Sequence, residues 1–238
     1  MTGSGTALLL TGGHSHPPEM SIEALREVTT GARLRPIVTT DLEVALDDLG
    51  RSNPSLVVVN ALRFTMPHPR YDEFRDAWAF SLSAPARRAF AEWIRRGHPV
   101  LALHSALVSF DDWDEWGDLI GGRWDWNASH HPPVGPVEVH CDPTHPVTRG
   151  LGDFTVTDES YVDLDVRDGN TLVATSATTS GGPQPACWLR EVDGSRVAVS
   201  ALGHDTESLD QPTHRALLAR LVDWLLDDRP DAEEAPPA

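Results

Sequence analysis

The sequence predicts an α/β fold in which a mostly parallel sheet carries helices on both faces. Three observations lead there. The first 62 residues run in a β-α-β-α-β rhythm. Pro99–Leu103 is a short apolar run with no polar alternation, as a strand buried on both faces is. At 238 residues the chain can bury a sizeable core as one domain.

Taken in order, Thr6–Thr11 reads as the first buried strand and ends in Gly12-Gly13-His14-Ser15-His16-Pro17-Pro18. Glu19–Thr30 follows as an amphipathic helix, with Ile22, Leu25 and Val28 on one face and Gly31 as its stop. Arg35–Thr39 is a second strand, and Asp41–Leu49 is a short helix carrying Leu42, Ala45, Leu46 and Leu49. Ser55–Leu62 is a third, strongly β-branched strand. Arg63–Leu82, with Pro67, Pro69, Tyr71, Phe74 and Trp78, has no clean period and reads as a long loop, a feature that often covers a site; its role is left open.

Ser83 then caps a helix over Ala84–Arg96, with Pro85 in its first turn and Gly97 as its stop. Pro99–Leu103 is the central strand, followed by a helix over Asp112–Ile120 closed by Gly121-Gly122. The second half changes character. Val134–Cys141, Thr171–Ala177, Ala186–Val192 and Arg196–Ala201 are short strands, and Asp193-Gly194 is a hairpin signal. A last helix over Gln211–Leu226 carries Leu217, Leu218, Leu221, Val222 and Leu225 as one stripe. Residues 1–228 are expected to form a single domain, and 229–238 an acidic, proline-containing disordered tail.

Formal net charge is -17, and all 19 basic residues are Arg. An acidic surface repels phosphate backbones and anionic lipid, so neither nucleic acid nor membrane is an expected partner. No apolar stretch has the length of a membrane span. The start Met1-Thr-Gly-Ser-Gly lacks the basic residues of a secretion signal. Cys141 and Cys187 read as free thiols in a reducing cytoplasm.

Four polar clusters stand at strand ends or loops: His14-Ser-His16, His104-Ser105, Asp158-Glu159-Ser-Tyr161 and Gly203-His204-Asp205. The carboxyl end of a central strand is where a doubly wound sheet places its ligands, which puts His104 first among them. Each cluster has a plainer reading. His14 and His16 suit a solvated loop as well as one metal, His104 suits a backbone cap, and Asp205 suits a helix cap. Trp113 and Trp116, three apart on a helix, read as core. Trp124 and Trp126 stand in a loop and read as the wall of a site.

In order along the chain stand His104-Ser-Ala, Trp116-x-x-Leu-Ile-Gly-Gly, His145-Pro-Val-Thr-Arg-Gly-Leu-x-x-Phe154, Asp158-Glu-x-Tyr161, Trp188 and Ala201-Leu-Gly-His-Asp205. This order resembles the ThuA-like, trehalose-utilisation family over about Thr6–Leu226. The resemblance implies a flavodoxin-like, class I glutamine amidotransferase-like three-layer sandwich and a role in carbohydrate metabolism. It does not imply glutaminase activity. That chemistry needs a Cys nucleophile on the turn after the central strand, where this chain has His104-Ser105.

The favoured reading is therefore a cytoplasmic enzyme, a hydrolase, lyase or isomerase acting on a disaccharide, glycoside or keto-sugar by acid/base chemistry. His104 is the expected general acid/base and Glu159 its charge partner or a second acid/base. His204 and Asp205 would polarise or orient a hydroxyl. His14, His16, Ser105, Trp124, Trp126, Tyr161 and Trp188 are the expected substrate contacts. No cofactor is assigned, the expected partner is a small-molecule sugar, and association into a homodimer is left open. Two rivals stand beside this reading. One is a non-catalytic sugar-binding or regulatory protein. The other is a metal-dependent hydrolase with ligands among His14, His16, His104 and His204.

Overall fold

A computed structural model of the chain describes residues 5–177 and 182–227; the tail expected over 229–238 lies outside them. The elements follow in chain order. They are β1 (Thr6–Gly13), α1 (Ile22–Gly31), β2 (Arg35–Thr39), α2 (Leu42–Asp47), α3 (Leu49–Ser52) and β3 (Leu56–Leu62). Next come α4 (Asp72–Trp78), α5 (Ala84–Arg95), β4 (Val100–Leu103), α6 (Asp114–Ile120) and β5 (Gly122–Arg123). The second half holds β6 (Gly135–Cys141), β7 (Phe154–Asp158), β8 (Asp165–Val166), β9 (Thr171–Ser176), β10 (Gln184–Val192) and β11 (Ser195–Ser200). It closes with α7 (Thr206–Asp210) and α8 (Pro212–Leu226).

The main sheet has the order β2-β1-β3-β4-β11-β10-β9-β6-β7. From β2 to β11 every pairing is parallel, and from β11 to β7 every pairing is antiparallel. The central run is buried on both faces over Val100–Leu103, as predicted, and β1 and β3 are buried likewise. Leu8 and Leu10 of β1 join Val57, Val59, Val100 and Ala102 under α2, α5 and α6. Ala7 and Leu9 join Leu56, Val58, Leu101 and Leu103 under α1 and α8. Side chains alternate across a strand, so one apolar run supplies two cores and the molecule has three layers.

Local chemistry sets the helix ends. Asp41 accepts from the Val44 N–H at 3.2 Å and starts α2, and Ser83 accepts from the Ala86 N–H at 3.3 Å and starts α5. The Asp193-Gly194 turn has φ of 49° and 85° and joins β10 to β11, as a two-residue hairpin with both centres left-handed requires.

Three expectations need correction. The helix foreseen from Glu19 begins at Ile22, because Ser21 leaves the helical region (φ -139°) and Pro18–Met20 form a separate 3-10 turn. Residues 63–82 are not wholly irregular, since a 3-10 turn at Pro69–Tyr71 leads into α4. The alternating strand β7 was not foreseen; its Phe154, Val156 and Asp158 are buried.

Trp188 belongs to the core and not to a cavity wall. It is fully buried on β10, and its indole N–H donates to the Ile120 carbonyl at 2.8 Å. Trp188→Phe should lose that bond and cost about 1–2 kcal/mol of stability. Urea denaturation measures the loss, and a change under about 0.3 kcal/mol would contradict this role.

Candidate functional site

The order 2-1-3-4 places a topological switch between β1 and β3, and ligands of such sheets sit at the carboxyl ends of the strands beside it. Four strand ends deliver polar side chains to that edge. At the end of β1, Gly13 has φ 142°, and a Cβ there would stand 2.1 Å from the Leu62 carbonyl oxygen. Only glycine lets β1 run so close to β3 and turn over the sheet. The turn carries His14 and His16, and the His16 Nδ1 donates to the His14 carbonyl at 3.3 Å. A carbonyl only accepts, so this bond puts the proton on Nδ1 and a lone pair on Nε2. That Nε2 is buried without a hydrogen-bond partner. Burial, reinforced by His104 and His204, pushes the His16 pKa down to about 3.

At the end of β4, His104 takes the left-handed backbone with φ 38° and is fully buried. A residue other than glycine in that region is strained and persists only where its surroundings hold it. The His104 Nδ1 donates to the Ala201 carbonyl at 3.0 Å. Its Nε2 therefore accepts from the Tyr161 hydroxyl, also at 3.0 Å. Burial, then the nearby Glu159 and Asp158 carboxylates, raises the Tyr161 pKa and keeps the phenol protonated.

At the end of β7, Asp158 and Glu159 divide the work. The buried Asp158 carboxylate accepts from the Gly203 N–H at 2.7 Å, the His204 N–H at 3.3 Å and the Ser208 hydroxyl at 2.5 Å. It also accepts from the Glu159 N–H at 2.7 Å. It thereby fixes the loop after β11, where Gly203 (φ 117°) turns the chain and His204 points to the site. Glu159 Oε2 lies 3.4 Å from both His104 Nε2 and His204 Nδ1, and those two nitrogens are 3.4 Å apart. Its Oε1 lies 3.5 Å from His131 Nδ1. Burial raises the Glu159 pKa, but the neighbouring imidazoles of His104, His204 and His131 outweigh it and hold the carboxyl well below the usual range. The Glu159 contact in turn raises the pKa of His204, against burial.

These groups floor a cavity of about 170 Å³, walled by Tyr71, Trp124, Trp126 and Tyr161 and flanked by His14 and His131. His14 packs on Phe74 of α4, with ring centroids 4.5 Å apart, and Arg70 and Tyr71 of the same segment line the cavity. A larger hollow of about 610 Å³ opens beside β9 and β10, away from the imidazole cluster.

Of the residues foreseen, His16, Glu159 and His204 meet at the floor with the buried His104 behind them, while His14, Trp124, Trp126 and Tyr161 line the wall. Ser105 is buried beneath, donating to Asn60 Oδ1 at 3.2 Å. Asp205 faces away and caps α7 by accepting from the Ser208 N–H at 3.1 Å. This is the plainer of the two readings given for it, and it sets aside Asp205 as a group that orients a hydroxyl. Sequence reasoning passed over Asp158 as an organising residue, and over His131 and Tyr71. His131 stood in plain view within His130-His131-Pro-Pro, but nothing local tied it to Glu159.

Among the described residues no helix is long and apolar enough to cross a membrane. The family model for trehalose utilisation, ThuA, matches residues 7–225. No curated protein matches the chain. Among solved structures, a ThuA-like protein from Parabacteroides merdae is similar, with a TM-score of 0.74 and 18% identity over 93% of this chain and 90% of that one. A ThuA-like protein from Bacteroides uniformis follows with a TM-score of 0.67 and 17% identity over 94% and 92%. A cytoplasmic protein from Salmonella typhimurium has a TM-score of 0.63 and 12% identity over 92% and 98%. At these identities the likeness is one of fold.

Proposed function

The chain belongs to the ThuA family of trehalose utilisation, and from that premise we propose a carbohydrate-modifying enzyme that acts on a disaccharide, glycoside or keto-sugar in the cavity above β1, β4 and β11. One observation carries the reading: a carboxylate set between two imidazoles at the floor of an aromatic-walled cavity. A carboxylate and imidazoles within reach of one another supply a proton acceptor and a donor side by side. Aromatic faces suit the apolar C–H surface of a sugar ring. The cavity is smaller than the roughly 300–1,000 Å³ of most drug-sized ligand sites, which favours one sugar ring inside and the rest of the substrate at the rim.

Glu159 and His204 face the cavity, and they are the residues that exchange protons with a sugar carbon or hydroxyl. His104 lies behind them and orients both, with Tyr161 holding its ring. A cytoplasmic setting belongs to the same proposal, supported by two buried free thiols, Cys141 and Cys187. Burial raises both thiol pKa values and leaves neither as a ready nucleophile.

The test is a panel of disaccharides, glycosides and their keto derivatives with product detection. Turnover of at least one supports the reading. Binding without turnover would replace it with a sugar-binding protein. Trp126→Ala should weaken sugar binding about 3–10-fold by removing one face of the wall. Calorimetry on the folded variant checks this, and unchanged affinity would take Trp126 out of the site.

A further inference from the structure

We propose that His16, His104, His204 and Glu159 hold a divalent first-row transition ion, of the Zn²⁺ type, at the cavity floor. Three of the donor atoms already stand at tetrahedral spacing. His104 Nε2, His204 Nδ1 and Glu159 Oε2 form a triangle with all three edges 3.4 Å. Ligands about 2.0–2.1 Å from a tetrahedral ion are about 3.3–3.4 Å apart. His16 closes the figure, since one ligand nitrogen from each of the three histidines lies within 4.8 Å of the others.

The surroundings aim these atoms as a metal site requires. His16 and His104 each donate through Nδ1 to a backbone carbonyl, which fixes the tautomer with the Nε2 lone pair inward. A plain imidazole–carboxylate ion pair would explain Glu159 and His204. It leaves the buried His16 Nε2 with no partner, at the cost a buried unsatisfied group carries. A cation among the three imidazoles gives that nitrogen a partner, with the Glu159 carboxylate beside it. Three imidazoles and one carboxylate suit Zn²⁺, Co²⁺ or Ni²⁺ better than the all-oxygen preference of Mg²⁺ or Ca²⁺. The ion takes the His104 lone pair that Tyr161 now uses, freeing the phenol for a sugar oxygen.

The inference rests on the carbohydrate reading only for the molecule that meets the ion from the cavity side, a sugar carbonyl or hydroxyl. With the ion bound, His104 and His204 are ligands, and proton exchange falls to Glu159 Oε1 and its neighbour His131.

The experiment uses the full chain, stripped with chelator, dialysed and titrated with Co²⁺, followed by visible absorption and calorimetry. One Co²⁺ per chain is expected, with the intense bands of a four- or five-coordinate site. His16→Ala should bind at least about 100-fold more weakly, beyond the 10–100-fold of an outer-shell change. His16→Gln serves if the Ala variant fails a circular-dichroism check of folding. His140→Ala, on an exposed ring paired with Asp153, should bind as the parent does. Absence of saturable binding, or unchanged affinity on loss of the His16 imidazole, overturns the proposal. Co²⁺ bound as expected with no carbohydrate turned over in the loaded protein keeps the ion and removes the sugar reading. Turnover by stripped protein that binds no Co²⁺ does the reverse.

Discussion

Glu159→Gln should lower carbohydrate turnover by about 10²–10⁴-fold, the range a positioned acid or base contributes. The amide keeps the shape of the side chain, and the residue is only partly exposed, so folding should be little affected. What disappears is the negative charge between His104 and His204 and the capacity to accept a proton. Measuring kcat with saturating Co²⁺ or Zn²⁺ keeps the loss of an ion ligand from being counted as a loss of chemistry. A Gln variant within threefold of the parent would remove Glu159 from the proton-exchanging role and leave it to His131.

Asp158→Ala should have the largest effect on stability. Its carboxylate is buried and accepts four hydrogen bonds, from the Gly203, His204 and Glu159 amides and the Ser208 hydroxyl. Bonds to a charged acceptor are worth about 1.5–3 kcal/mol each, and their donors would be left buried without partners. Bonds that share one acceptor do not add fully. A loss of about 3 kcal/mol or more is still expected, equivalent to a fall in Tm of roughly 6–12 °C for a chain of this size. Asp158→Asn should fall between, because one oxygen survives while the new NH₂ group faces donors. Urea denaturation and a thermal scan measure both variants; a cost of Asp158→Ala below about 1 kcal/mol would mean that the loop after β11 is held by something else.

The fold was legible wherever burial on two faces leaves its mark on a single segment. Thr6–Thr11, Ser55–Leu62 and Pro99–Leu103 read as strands because no polar alternation interrupts them, and each became a strand of the parallel half. Strand β7 was not legible for the opposite reason. Its alternation ends inward on a carboxylate, and the partners that make a buried Asp158 tolerable come from Gly203, His204 and Ser208, far along the chain. Trp188 was misread on similar grounds, since the carbonyl that receives its N–H belongs to Ile120 and no local pattern points to it. The elements behind the site were readable because strand ends are. His16, His104 and His204 each follow an apolar run. Their mutual distances, and the roles of His131 and Tyr71, depend on how loops from distant segments meet, and that information lies in the packing.

The site is also a late event in the life of the chain. His104 and His204, whose nitrogens stand 3.4 Å apart, are separated by 100 residues, and the strand that brings them together, β11, is the last to emerge among the described residues. Contacts of such separation carry the largest loop-closure entropy and tend to form slowly. A nascent chain that has folded only through β4 has His16 and His104 but neither the carboxylate nor the third imidazole. Whatever binds here binds the finished molecule and stabilises it against every partly folded form. The ligand thus acts as a check on completed folding and offers no help in reaching it.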